Sequence, residues 1–226
     1  MKTAAVIVAA GKGKRFGGKV PKQFLKVNGK TLLAYAIENF ETSGSIDYVL
    51  LVVSEEFIGL TRRLVKKHKF KKVIGIITGG SERYLSVYNA LEFLKNIAPD
   101  KVLIHDGARP LPIAHLIKDI TTRLDKNDAV VPVNKICGTI KRVGNGEIKA
   151  TLNRTELRTS HTPQGFKYKT ILALYTKANL KKYKPTDEAA LFEACGKKVT
   201  VIEDDTPNIK ITTGKDLKVL KVLLKN

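Results

Sequence analysis

A chain of 226 residues that is 43% hydrophobic can bury a sizeable core within one large domain. Its formal charge of +20 calls for anionic partners, either nucleic acid or small polyanions such as nucleotides and sugar phosphates. Two cysteines without a CxxC partner argue against a zinc site or a disulfide framework, and no apolar run approaches the roughly 18 residues of a membrane span.

The elements follow in chain order. "TAAVIVAA" (3–10) is a continuous apolar run, the mark of a strand covered on both faces. It is too short and too poorly flanked to be a signal segment. A helix follows from about Thr31 to Phe40, with Leu32, Leu33, Ala36, Ile37 and Phe40 on one side. "DYVLLVV" (47–53) is the next strand, then a helix over about 56–68 and the strand "KVIGIIT" (72–78). Ser81 is placed to cap a helix running to about Lys95. "DKVLIHD" (100–106) and, after another helix, "DAVVPV" (128–133) complete five strands. Repeated βαβ units of this length predict an α/β fold, a Rossmann-like three-layer sandwich with a mostly parallel mixed sheet.

From Asn134 the pattern changes. "GTIKRVGNGEIKATLNR" alternates in period two about "GNGE" and reads as a β-hairpin, with one face polar and basic. Such a hairpin is too exposed for core, so a protruding arm is expected at about 134–160. Helices over 168–179 and 187–195, a strand over 198–203 and a helix over 214–224 follow. With no internal repeat or linker, residues 1–226 read as a single domain with an arm.

The chemistry starts in "AAGKGKRFGGKVPKQF" (9–24), which directly follows the first strand. It matches neither standard glycine motif. A dinucleotide fingerprint needs a third glycine where Phe16 stands, and a Walker A loop needs a hydroxyl where Val20 stands. The physical content survives. Glycines let backbone N–H groups approach phosphate oxygens, and Lys12, Lys14, Arg15, Lys19 and Lys22 neutralise more charge than a diphosphate carries. The end of a first strand is where open α/β sheets bind ligands, so a nucleoside triphosphate is the natural guest. The other cations, as in "RRLVKKHKFKK", are interrupted by apolar residues and read as solvated surface. Aromatics are only 7%, tryptophan is absent and no stacking platform appears, so no nucleic-acid partner is expected.

"AAGKGKRFGGKVPKQFLKVNGKTLL" resembles the signature of nucleotidyltransferases that activate sugars and polyols. Its "PKQF" tail narrows the resemblance to cytidylyltransferases of the 2-C-methyl-D-erythritol 4-phosphate type. "GGSERYLSVYNAL" (79–91), "HDGARP" (105–110), "GTIK" (138–141), "HTPQGF" (161–166), "TDEAALFEACG" (186–196) and "NIKIT" (208–212) agree in order along the chain. The ribitol 5-phosphate cytidylyltransferases share "PKQF", "HD-x-x-RP" and "TPQ", but resemble "TDEAALFEACG" less.

The resemblance implies cytidylyl transfer from CTP to 2-C-methyl-D-erythritol 4-phosphate in isoprenoid-precursor synthesis, with magnesium, in a cytoplasmic homodimer joined through the arm. It places Ala9, Ala10, Gly11 and Gly13 along the nucleotide, and Arg15 and Lys22 on the triphosphate. Gly80, Ser81, Arg83 and Ser86 would flank cytosine and ribose. Asp106 would lie beside ribose, phosphates or magnesium, the metal being held mainly through phosphates. Gly107, Arg109, Thr139, Thr162 and Thr186 fall to the polyol-phosphate side, with Arg154 and Lys210 holding the attacking phosphate. Two positions depart from the family pattern. Gly107 stands where alanine is usual, a change expected to be minor, and Gly138 stands where aspartate is common. His105 and His161 are expected to be structural, because a phosphate nucleophile needs no proton shuttle.

Overall fold

The computed structural model describes residues 1–11, 20–178 and 183–224. The first apolar run forms β1 (Thr3–Ala9). A two-residue pair, β2 (Lys26–Val27) and β3 (Lys30–Thr31), turns at Asn28 and Gly29, both at positive φ, and leads into α1 (Leu32–Glu41). Thr31 caps α1 by accepting from Ala34 N. Three further units follow: β4 (Tyr48–Val53) with α2 (Ile58–His68), β5 (Val73–Thr78) with α3 (Arg83–Phe93), and β6 (Lys101–Asp106) with α4 (Ala114–Arg123). Then come β7 (Ala129–Lys135), the hairpin strands β8 (Ile140–Gly144) and β9 (Glu147–Leu152), β10 (Arg158–Ser160) and β11 (Gln164–Lys167). The chain continues through α5 (Tyr168–Lys177), α6 (Glu188–Ala194), β12 (Thr200–Glu203) and α7 (Gly214–Leu223).

The main sheet runs β10–β7–β11–β6–β1–β4–β5, with β12 also paired to β7. β6, β1, β4 and β5 are mutually parallel, β12 is parallel to β7, and β10 and β11 run antiparallel. The sheet is thus mixed and mostly parallel, as expected. Strand periodicity divides β1 between two cores. Ala5, Ile7 and Ala9 pack with Leu33, Ile37, Phe40 and Ile117 of α1 and α4. Ala4 and Val6 pack with Leu91, Ile171 and Phe192 of α3, α5 and α6. Burial on both faces is what a continuous apolar run requires.

Two sequence expectations change. Ser81 caps no helix: α3 begins at Arg83 behind Glu82, which makes no side-chain cap, and it ends at Phe93 before a short 3-10 turn. The hydroxyl of Ser86 does the local work instead, accepting from Gly80 N (3.1 Å) and donating to the Glu82 carbonyl (3.1 Å). The stretch 134–160 is also not all arm. β7 continues to Lys135 and β10 pairs back onto it, so the separate hairpin comprises β8 and β9, turning at Asn145 and Gly146, both at positive φ. That turn chemistry is what "GNGE" announced.

Candidate active site

β1 leads to β4 and β5 on one side, while β6 lies on its other side. The sheet order therefore reverses between β1 and β6, and their carboxyl ends open a crevice there. A cleft of about 750 Å³ occupies it. It brings together Ala9, Ala10, Gly11, Lys22, Gly80, Ser81, Arg83, Ser86, Asp106, Gly107 and Lys210 from five separate stretches of chain. A second cavity of about 200 Å³ holds Arg109, Thr162 and Thr186. The two share Arg83, Asp106 and Lys210. Gly13 and Arg15 lie outside the described residues. Thr139 and Arg154, on the arm, are exposed and line neither cavity; Arg154 Nη1 donates to the Cys137 carbonyl.

Asp106, the last residue of β6, is the hub. Arg83 Nε lies 3.2 Å from Oδ1, Lys210 Nζ 2.7 Å from Oδ2, and Arg109 Nε 3.7 Å from Oδ2. Burial opposes the carboxylate charge, but Arg83, Lys210 and Arg109 outweigh it and hold the carboxyl well below its usual range. Asp106 is therefore an anion at any working pH. Arg109 is itself buried and donates from Nη1 to the Asn208 carbonyl (2.6 Å). Asn208 donates in turn to the Thr162 carbonyl (2.8 Å). The segment before α7 is thereby tied to the end of β6 from two sides.

His105 braces the turn after β6. Burial pushes its imidazole pKa down to about 4, so it is neutral. Nε2 faces the Arg109 carbonyl (3.1 Å), which can only accept, so Nε2 carries the proton. Nδ1 then accepts from the Thr162 hydroxyl (3.1 Å), whose oxygen also accepts from Asp106 N (3.1 Å). The hydroxyl proton of Thr162 is thus committed within the protein. Thr162 lines the smaller cavity, but its side chain holds the Asp106 backbone rather than offering a donor to a ligand. His105 is buried and hydrogen-bonded on both ring nitrogens within the protein.

Close approach accounts for Gly107. A Cβ there would meet Ala9 Cβ at 2.9 Å and Leu33 Cδ1 at 3.3 Å. The β6 end therefore sits so near the β1 end that an added side chain would force a neighbour to shift.

Three site residues escaped the sequence reading. Gln23 is buried and donates from Nε2 to the carbonyls of Ala9 (2.5 Å) and Gly11 (3.2 Å), holding the chain where it leaves β1. Ser54, just after β4, donates to the Ala10 carbonyl (2.9 Å). Glu188, fully buried at the start of α6, grips Arg83. Gln23 and Glu188 lay inside quoted motifs, "PKQF" and "TDEAALFEACG", but motif spacing does not reveal a side chain's partner.

The sequence and the fold both match known proteins. The family model described as "IspD: 2-C-methyl-D-erythritol 4-phosphate cytidylyltransferase" matches residues 3–226. Relatives bearing that enzyme name include one from Petrotoga mobilis, 39% identical over 97% of this chain and 96% of its own length. Another, from Geobacter metallireducens, is 36% identical over 100% of this chain and 98% of its own. The crystal structure of 4-diphosphocytidyl-2C-methyl-D-erythritol synthase from Anaerococcus prevotii superposes with a TM-score of 0.87 at 28% identity, covering 100% of this chain and 96% of that one. The Thermus thermophilus cytidylyltransferase structure gives 0.79 at 26%, covering 98% of each chain. A full-length family match, together with a cleft at the β1–β6 reversal lined by the motif residues, carries one conclusion: the chain belongs to the 2-C-methyl-D-erythritol 4-phosphate cytidylyltransferase family.

Proposed function

We propose that this protein transfers CMP from CTP to 2-C-methyl-D-erythritol 4-phosphate, releasing pyrophosphate and 4-diphosphocytidyl-2-C-methyl-D-erythritol. One observation carries the site assignment: a nucleotide-sized cleft and a smaller cavity meet at Arg83, Asp106 and Lys210. The cleft takes the nucleotide and the smaller cavity the acceptor, so the junction is where the two react.

The reaction is an in-line displacement. A phosphate oxygen of the acceptor forms a bond to the α-phosphorus, and the bond from that phosphorus to the bridging oxygen breaks. Pyrophosphate leaves with the electron pair. The nucleophile is already an anion, so the protein supplies position and charge. Gly11 and Gly80 admit the nucleotide, with Ser86 shaping the Gly80 turn. Arg15 and Lys22 stabilise charge on the triphosphate as pyrophosphate departs. Lys210 and Arg109 receive the acceptor phosphate.

Magnesium fits here in one way. Among the described residues no group of three His, Cys, Asp or Glu side chains could hold a metal, and both Asp106 oxygens already face cations. An all-protein cage is therefore not the arrangement. Magnesium is commonly held largely by substrate phosphates, so the triphosphate oxygens would hold it, beside an Asp106 already paired with Arg83 and Lys210. Bound there, it would neutralise phosphate charge.

We further propose a homodimer. β8 and β9 form a two-stranded sheet of their own, with Val143 62% and Ile148 64% exposed. An isolated hairpin is marginal in water, so a partner surface is its natural support. Thr139 and Arg154 would then reach the partner's acceptor cavity. Two exposed free cysteines, Cys137 and Cys195, suit a reducing cytoplasm. Among the described residues no helix is long and apolar enough to cross a membrane.

The test is mass-spectrometric detection of the nucleoside diphosphate-linked methylerythritol formed from each of the four nucleoside triphosphates in turn. Product from CTP that depends on the acceptor supports the reading. Absence of that product overturns it.

A further inference from the structure

Glu188 is a fully buried carboxylate that the mechanism above does not use. It lies beside apolar neighbours such as Ala189, Leu191 and Phe192, a costly place for a charge without partners. Its partners are specific. Arg83 Nη1 donates to Oε1 at 2.7 Å and to Oε2 at 3.0 Å, and the buried Tyr175 hydroxyl donates to Oε1 at 3.1 Å. The same guanidinium points Nε at Asp106 Oδ1 (3.2 Å). Arg83 starts α3, on the nucleotide side. Glu188 starts α6, directly after Thr186 and Asp187 of the acceptor cavity. Asp187 pins that end of α6 by accepting from Ala190 N and from Gln164 Nε2 (2.8 Å).

We propose that Glu188 is a positioning residue: it holds Arg83 as a bridge between the nucleotide and acceptor walls, and so orients the Asp106 carboxylate toward Lys210. Asp106 faces three cations and has two oxygens. With Arg83 anchored by Glu188, only Nε reaches Asp106, and Oδ2 stays with Lys210. Without that anchor Arg83 takes both Asp106 oxygens, because a guanidinium fork matches a carboxylate, and Lys210 loses its seat. A buried ion pair is by itself weak evidence of a stabilising role, which leaves specificity of geometry as its reason here.

The inference rests on the cytidylyltransferase reading and is tested in the same assay. Kinetics are measured for wild type, Glu188→Gln, Tyr175→Phe, Arg83→Gln and the double variant Arg83→Gln with Glu188→Gln, well below the lowest thermal midpoint. Glu188→Gln is expected to lower kcat about 30-fold while the KM for CTP moves less than about threefold, since the glycine-loop contacts are untouched. Tyr175→Phe, which keeps its ring packing, is expected to lower kcat about threefold, and it decides the matter if the Glu188 variant does not fold. The double variant should be no slower than Arg83→Gln alone, because Glu188 acts through Arg83. Losses that multiply in the double variant, or full kcat in Tyr175→Phe, overturn the inference while wild-type turnover stands. A silent wild-type protein overturns the functional reading itself and the inference with it.

Discussion

Lys210 Nζ sits 2.7 Å from Asp106 Oδ2, which joins the segment before α7 to the end of β6. The lysine side chain is 37% exposed and the aspartate 10%, so a buried anion meets a cation that still faces the cavities. Lys210→Ala should therefore keep the fold, because Asp106 retains Arg83 and Arg109. Turnover should fall by about 10²-fold, the usual scale for losing one preorganised charge. Steady-state kinetics with circular dichroism as a fold check measures both.

Gln23 is predicted to act on nucleotide binding. Gln23→Ala leaves the carbonyls of Ala9 and Gly11 without their shared donor at the start of the glycine loop. Each lost hydrogen bond is worth about 1 kcal/mol, so kcat/KM for CTP should drop by about tenfold or more. The KM for the acceptor should change little.

Gly107→Ala is predicted to destabilise the protein. The new methyl would lie 2.9 Å from Ala9 Cβ, a neighbour fixed on the central strand. Overpacking of this kind costs about 1–3 kcal/mol. Chemical denaturation should register it as a lower midpoint with an unchanged slope.

His105 is predicted to set part of the acid sensitivity. Its folded pKa, about 4, lies below the ordinary 6.5 because the ring is buried. Within that window the unfolded chain binds the proton and the folded one does not, so stability falls as pH drops from 6.5 toward about 4. The loss is on the order of 3 kcal/mol. His68 and His161 are also shifted down by burial and act in the same direction. Comparing the slope of unfolding free energy against pH for wild type and His105→Gln isolates this residue; the variant should show the shallower slope between those limits.

Residue type and period made the sheet legible. "TAAVIVAA" and "DYVLLVV" are apolar at nearly every position, and both became interior parallel strands. β10 and β11 were not legible, because "RTS" and "QGFK" are short and their pairing with β7 is decided by tertiary context. The candidate site followed a similar division. Asp106 and Lys210 stood in motifs and do line the cavities. Thr162 stood in one too, yet its hydroxyl serves His105 and Asp106, a fact that depends on which atoms lie within hydrogen-bond reach. Glu188 and Gln23 reveal their roles only through partners at sequence separations of 105 and 14.

Cytidylyl transfer to a methylerythritol phosphate is the reaction this site is built for. It is tested most directly by measuring pyrophosphate release from CTP with 2-C-methyl-D-erythritol 4-phosphate and, in parallel, with ribitol 5-phosphate. The expected kcat/KM for the methylerythritol acceptor is higher by about 10²-fold, the scale of a site built around one substrate's polar groups. Faster turnover of ribitol 5-phosphate, or no pyrophosphate with either acceptor, would contradict it.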